Sequence, residues 1–335
     1  MDPASIRFFA WIINNPQLKF KSYQRAAISK WIPGIYDSVT KVENKKILDW
    51  YGQGWGRSKY ESIIKAVAEI LERELMARHK INISNGCAVH VDKAKACQNA
   101  AFELIERDAF FCHYLTETPF EAFKGQVNIF GLPLNQFLKK MLKMHLKIRI
   151  FKMRTAVPCA AIFVFVQTTK GTEKNGFQFG TACSAKYEEA IEHALIEALR
   201  SVAHSATNPK IEKITETNFL SPMWKDVPDI KKHSLIRRDS DYAKYFARTF
   251  LKPTIINKKI GRPILKLSSV KTKEFKNTFK DLKALPLYFV QARSPLLQPL
   301  YFGASTNENI NLKRLQTFLN DPNFKIPNLR PHPFS

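Results

Sequence analysis

Among 335 residues, 53 Lys and Arg stand against 29 Asp and Glu, a formal charge of +24, and 45% of the chain is hydrophobic. Such apolar content fills a sizeable core in one large domain or two ordinary ones, which excludes a disordered tail or a mini-protein. With 12 Gly and no sustained heptad repeat, collagen-like and coiled-coil classes are excluded as well.

In chain order, residues 1–45 mix aromatic with basic side chains and read as a partly ordered lead-in. The start, MDPASIRFFAWIINN, has neither a basic lead nor a small-residue cleavage site, so no secretion signal is expected there. From Lys46 a single domain is expected to run to Ser335. Gly52, Gly54 and Gly56 predict a turn, and Ile63, Val67, Ile70 and Leu71 then recur at helical spacing within Ser62–Met76. A second turn at Ser84-Asn85-Gly86 precedes a helix over Lys93–Tyr114. Strands are predicted at Ile148–Lys152, Ala160–Gln167 and Gly176–Cys183, followed by a helix over Glu188–His204. The longest apolar run, Ala156–Val166, contains Pro158 and is too short to cross a bilayer. Residues 206–285 form a variable, basic and least regular region. A strand and turn follow over Pro286–Gly303, and a proline-rich tail, 327–335, should be extended. This order of elements predicts an α/β fold.

A chain this basic attracts polyanions or acidic peptides. The excess is greatest over Lys210–Lys283, but no zinc-finger spacing or RNA-recognition signature accompanies it, so a solvated basic face is favoured over a nucleic-acid groove. Cys87, Cys97, Cys112, Cys159 and Cys183 form an odd set without CxxC spacing, which suits reduced thiols in the cytoplasm.

The chemistry concentrates in Glu69-Ile-Leu-Glu72-Arg73 and Glu103-Leu-Ile-Glu106-Arg107, with a related Glu197-Ala-Leu-Arg200 further on. Residues three apart lie about 60° apart around a helix, so each pair puts two carboxylates on one face, and the adjoining Arg on another. One such pattern is ordinary helix sequence with surface ion pairs. Two copies and a third glutamate helix, each flanked by apolar residues, instead suit a shared cavity holding a hard divalent ion such as Mg²⁺ on nucleotide phosphates, with Arg73, Arg107 or Arg200 for phosphate oxygens. No GxxxxGK[ST] is present, and the Gly52–Gly56 spacing lacks the downstream acid of a dinucleotide site.

Taken with Ser84-Asn85-Gly86, Ala190-Ile-Glu-His-Ala-Leu-Ile-Glu197, Ser294-Pro295-Leu-Leu-Gln298-Pro299-Leu-Tyr-Phe-Gly303 and Pro331-His-Pro333-Phe-Ser335, these helices resemble the YcaO family of ATP-dependent enzymes that modify peptide backbones. The resemblance implies layered mixed sheets and helices, and ATP and Mg²⁺ as cofactors. It implies Glu69, Glu72, Glu103 and Glu106 as metal ligands. It further implies Arg73, Arg107, Glu197, Arg200 and Ser84 around the nucleotide, with Arg107 and the Ser335 carboxylate taking part in catalysis. The reaction so implied is phosphorylation of an amide oxygen, leading to cyclodehydration of Cys, Ser or Thr to azolines in a ribosomally made peptide. A precursor peptide and a separate leader-binding or sulfur-delivery protein are the implied partners, with no membrane partner; a homodimer stays open. Trp55, Val91, Lys95, Arg200 and Ser335 depart from the family's pattern. A thioamide-forming enzyme and a catalytically silent peptide-binding or scaffold subunit therefore stay open as alternatives.

Overall fold

The computed structural model describes residues 2–14, 19–43, 51–81, 85–169, 176–207, 236–252, 265–276, 287–302, 306, 308–326 and 328–334. The chain opens with α1 (Pro3–Asn14), β1 (Phe20–Gln24), α2 (Ala26–Trp31), β2 (Tyr36–Val42), β3 (Tyr51–Gly56) and α3 (Lys59–Arg78). It continues through β4 (Cys87–His90), α4 (Lys93–Leu115), β5 (Glu121–Ala122), β6 (Asn128–Ile129), β7 (Leu132–Pro133), α5 (Leu134–Lys143) and β8 (Leu146–Lys152). Then come β9 (Ala160–Thr168), β10 (Gln178–Ser184), α6 (Tyr187–Thr207), α7 (Ser240–Phe250), β11 (Lys271–Phe275), β12 (Tyr288–Arg293) and α8 (Leu312–Leu319). The architecture is mixed α/β, as the sequence predicts. No described helix is long and apolar enough to cross a membrane.

Two compact units divide the chain, Met1–Leu104 with Val270–Arg293 and Ile105–Ser269 with Ser294–Ser335. The first contains two antiparallel sheets, β1-β2-β3 and β11-β12-β4. Its core joins Phe8 and Ile12 of α1 to Val67, Ile70 and Leu71 of α3 and Phe289 of β12. Lead-in residues thus supply α1, β1, α2 and β2.

The Gly52–Gly56 segment is strand, not turn. Its three glycines alternate, so they share one face, and α3 lies against that face. A Cβ at Gly52 would sit 1.9 Å from the Ala66 carbonyl oxygen, and one at Gly54 would sit 2.0 Å from that of Ser62. Glycine here serves close approach of backbone to backbone rather than chain reversal. Helix α3 starts at Ser58, whose Oγ accepts the Glu61 N–H at 3.2 Å, while the Glu61 carboxylate accepts the Arg57 N–H at 2.9 Å.

The second unit is built on the antiparallel sheet β10-β9-β8-β5. Along β9 both faces are covered, which explains its nearly unbroken apolar run: Ala160–Val166 are all buried. Phe163 and Phe165 enter an aromatic core with Phe110, Phe177, Phe179, Tyr242, Phe246 and Phe250. Helix α6 packs on β9 and β10. The region read as irregular contains α7, capped by Asp239 accepting the Tyr242 N–H at 2.6 Å and burying Tyr242, Ala243, Phe246 and Phe250.

Candidate functional site

One local geometry occurs at three strand–helix pairs. The Gln53 N–H of β3 donates to Glu69 Oε2 on α3 at 2.6 Å. The Cys87 N–H of β4 donates to Glu103 Oε2 on α4 at 3.0 Å, and the Thr181 N–H of β10 donates to Glu197 Oε2 on α6 at 2.8 Å. Donor and acceptor residues are 16 apart each time. A glycine precedes each donor (Gly52, Gly86, Gly180), and a fully buried alanine stands three residues before each glutamate (Ala66, Ala100, Ala194). A Cβ at Gly180 would fall 2.1 Å from the Ala194 carbonyl oxygen; one at Gly86 would fall 2.9 Å from that of Ala292 and 3.1 Å from that of Ala100. The small residues let strand and helix backbones approach until the glutamate meets the strand's N–H. A Gly…Ala-x-x-Glu spacing, present three times, is therefore the signal that unites the helices, and it was legible in the sequence beyond the paired glutamates.

In the first unit Glu69 and Glu103 both act on Glu72. Glu72 is half-buried. Its carboxyl is pushed well above the usual carboxylate range, first by burial and then by the Glu103 and Glu69 charges. Arg73 turns back onto Glu69, with Nη2 2.5 Å from Oε1, and lies 5.3 Å from the Tyr51 ring centre. It therefore engages a carboxylate of its own helix rather than pointing elsewhere. The Cys87 thiol is pushed up to about 12 by burial and the nearby Glu103 and Glu72. It is a protonated, inert thiol at neutral pH.

In the second unit Glu106 is buried and accepts the Thr181 hydroxyl at 2.5 Å and Arg107 Nη1 at 2.7 Å. The Arg107 guanidinium lies 4.5 Å from the Phe334 ring centre. Glu197 is exposed as a residue, yet its carboxylate end lies against the Thr181 N–H, and desolvation there followed by the Glu106 charge raises its pKa to about 7. Arg237, which the sequence offers only as part of the basic excess over Lys210–Lys283, lies 5.5 Å from the Phe179 ring centre and is lowered to about 10 by burial, with Glu197 acting the other way. Half-buried Arg200 follows Glu197 on α6 where the other two helices carry a second glutamate. Ser84 and Ser335 lie outside the described residues.

One support beneath this region was also missed. Asp108 and Arg314, both buried, form a two-pronged ion pair at 2.9 and 2.8 Å, and Asp108 accepts the Gln298 N–H at 2.8 Å. The Ser294–Phe302 segment is thereby tied to the turn of α4 after Glu106. The tail is docked: Tyr114 and Tyr242 hydroxyls both donate to the Pro331 carbonyl, at 2.9 and 3.0 Å, and His332 Nε2 meets the Tyr301 carbonyl at 2.6 Å. Phe334 packs edge-on against Phe110 at 4.5 Å between ring centres.

Among the described residues no group of three or more His, Cys, Asp or Glu is gathered closely enough to hold a metal ion as it stands. The donor chemistry nevertheless fits a hard cation. The first unit brings three carboxylates near each other, partly offset at Glu72 by Arg73, and the repulsion of Glu103 and Glu69 adds to burial in raising that residue's pKa.

The family model described as YcaO cyclodehydratase, ATP- and Mg²⁺-binding, matches residues 74–285. The chain belongs to the YcaO family. Glu69, Glu72 and the tail lie outside the matched residues, so their place rests on the local geometry above. The cofactors expected from the sequence, ATP and Mg²⁺, are those of the family's description. Solved YcaO-type structures share the fold. In the Escherichia coli microcin synthetase McbBCD complex with pro-MccB17 bound, the match has 11% identity and a TM-score of 0.56, covering 90% of this chain and 96% of that one. YcaO from Methanopyrus kandleri bound with AMPPCP and Mg²⁺ matches with 11% identity and a TM-score of 0.52, covering 86% and 90%. A heterocyclase in complex with substrate and cofactor matches with 10% identity and a TM-score of 0.64, covering 99% of this chain and 57% of that one. No curated protein matches the sequence.

Proposed function

We propose that this YcaO protein activates peptide backbone amides by ATP-dependent phosphorylation of the amide oxygen, and that it converts Cys, Ser or Thr of a ribosomally made peptide into azolines. The observation that carries the reading is the threefold strand–helix geometry, with Glu72 crowded by Glu69 and Glu103, in a chain of an ATP- and Mg²⁺-binding family. Glu69, Glu72, Glu103 and Glu106 would hold Mg²⁺. Arg107 would meet phosphate oxygens, with Arg73, Arg200, Glu197 and Ser84 completing the nucleotide's surroundings. ATP supplies the phosphoryl group that turns the amide oxygen into a leaving group. The chain's own work is then clamping and positioning, with no nucleophile of its own. The docked tail supports a role for the Ser335 carboxylate in accepting the proton of the attacking thiol or hydroxyl.

A peptide substrate and a separate partner protein belong to the same proposal, in keeping with the McbBCD complex and its bound pro-MccB17. The second reading, a silent peptide-binding subunit, is favoured by Trp55, which carries Lys65 Nζ 4.6 Å above its ring at the strand preceding α3. The deciding test is the mass of a candidate precursor peptide co-expressed with this chain and the products of its neighbouring genes. Loss of one water per ring supports azoline formation, and exchange of oxygen for sulfur supports the thioamide reaction. An unaltered peptide, with phosphate release no higher than that of Glu106→Gln, overturns the catalytic reading.

A further inference from the structure

The five cysteines are not equivalent. Cys87 and Cys112 are buried, and burial with nearby carboxylates raises both thiols; Cys97 is half-buried. Cys159 and Cys183 differ: both keep partial exposure, and their sulfurs lie 3.2 Å apart in the second unit. Cys183 belongs to β10, where it pairs with Ala161 of β9, whereas Cys159 stands in the bend just before β9, after exposed Pro158. A disulfide is about 2.05 Å long, so closure needs a movement of only about 1 Å, and the bend can supply it without breaking the β9–β10 ladder.

We propose that Cys159 and Cys183 form a redox-active dithiol that closes to a disulfide with small-molecule disulfides of the glutathione class, Cys159 being the attacking sulfur. The assignment of roles follows from the hydrogen bonds: the Cys183 S–H donates to Cys159 Sγ at 3.2 Å, which favours negative charge on Cys159 and outweighs the bond from the Cys159 S–H to the Val157 carbonyl at 3.3 Å that ionisation gives up. The hydrogen bond between the two sulfurs lowers the Cys159 thiol and raises that of Cys183. In the first step the Cys159 thiolate attacks one sulfur of oxidised glutathione and expels one glutathione thiolate, leaving a mixed disulfide. Cys183 then passes its proton to the expelled thiolate or to water, attacks Cys159 Sγ and expels the second glutathione. Two protein thiols become one disulfide while one glutathione disulfide becomes two thiols, so atoms and electrons balance. Cys183 lies two residues beyond Thr181 on the same face of β10. Thr181 holds Glu106 through its hydroxyl and Glu197 through its N–H. The covalent state of the pair is thus set beside the carboxylates of this unit, yet the proposal does not depend on the function assigned to them.

The test equilibrates the full chain in buffers of fixed reduced-to-oxidised glutathione ratio, traps free thiols by alkylation and maps the peptides by mass. The expected result under oxidising ratios is a Cys159–Cys183 cross-linked peptide, two hydrogens lighter and reversed by dithiothreitol. Cys183→Ser should then accumulate glutathione on Cys159, while Cys159→Ser should leave Cys183 unmodified over the same time. Cys159→Ala and Cys183→Ala, checked by circular dichroism, provide folded alternatives should a serine variant fail. The proposal is overturned if both thiols remain alkylated at excess oxidised glutathione, or if the adduct forms first on Cys183.

Discussion

The carboxylates of the two units differ in what balances them. In the first, Glu69 and Glu103 act on Glu72, Arg73 turns onto Glu69, and burial followed by the two neighbouring charges leaves Glu72 with a strongly raised pKa. In the second, Glu106 and Glu197 sit among Arg107, Arg237 and the Thr181 hydroxyl, and α6 carries Arg200 where a second glutamate would complete the pattern. The same strand–helix geometry therefore presents a set short of positive charge in one unit and a set supplied with it in the other. In the proposed reading Glu69, Glu72 and Glu103 would draw a cation more strongly than Glu106, whose charge Arg107 already offsets, and Arg107 would meet phosphate oxygens.

The largest expected effect tests what supports the second unit. Arg314→Leu leaves Asp108 charged and unpaired in the core, so thermal unfolding should show a loss of about 3–5 kcal/mol. A loss below ~1 kcal/mol would mean that the ion pair does not fix the Ser294–Phe302 segment. Next, Gly52→Ala and Gly180→Ala each push a Cβ into helix backbone and should cost about 1–3 kcal/mol or more by denaturant titration. Similar losses at the two positions would sharpen the view of one repeated geometry. A neutral Gly180→Ala would break it.

Glu72→Gln should stabilise the Mg²⁺-free protein, with the gain growing as pH rises. A carboxyl raised in the folded state contributes stability when protonated, and that contribution is lost as pH rises through the raised value, whereas Gln stays neutral. Melting curves at pH 5 and pH 8 check this, and a destabilised variant at both would contradict it. The smallest effect concerns His113, buried among Thr118 and Arg154 backbone partners and lowered to about 3 by desolvation. Its neutral form favours the fold above the ordinary histidine value near 6.5, and this contribution is lost as pH falls from there toward about 3. His113→Asn should flatten that part of the stability profile; an unchanged slope would assign the acid limb to other groups.

Much of this was legible in the sequence for physical reasons. The helices α3, α4 and α6 announce themselves by apolar period, and β9 by an unbroken apolar run, because each signal is local. Gly52, Gly54 and Gly56 misled because glycine marks both turns and close backbone contacts. Their alternation, matched to small Ala66 and Ser62 on α3, was the sign of the second. The spacing of Tyr242, Phe246 and Phe250 marks α7, but surrounding lysines and arginines obscured it. Asp108 and Arg314 are 206 residues apart, and nothing local in either neighbourhood points to the other. Likewise, Cys159 and Cys183 acquire meaning only from the pairing of β9 with β10.

The proposed roles of Glu103 as a cation ligand and of Arg107 as a phosphate contact are tested most directly by calorimetric binding of AMPPCP with and without Mg²⁺. Glu103→Gln should weaken Mg²⁺-dependent nucleotide binding by more than ~10-fold, about 1.4 kcal/mol, and leave the weaker metal-free binding unchanged. Arg107→Gln should instead weaken both. A Glu103→Gln protein that keeps the full effect of Mg²⁺, or an Arg107→Gln protein whose metal-free binding is untouched, would contradict the account.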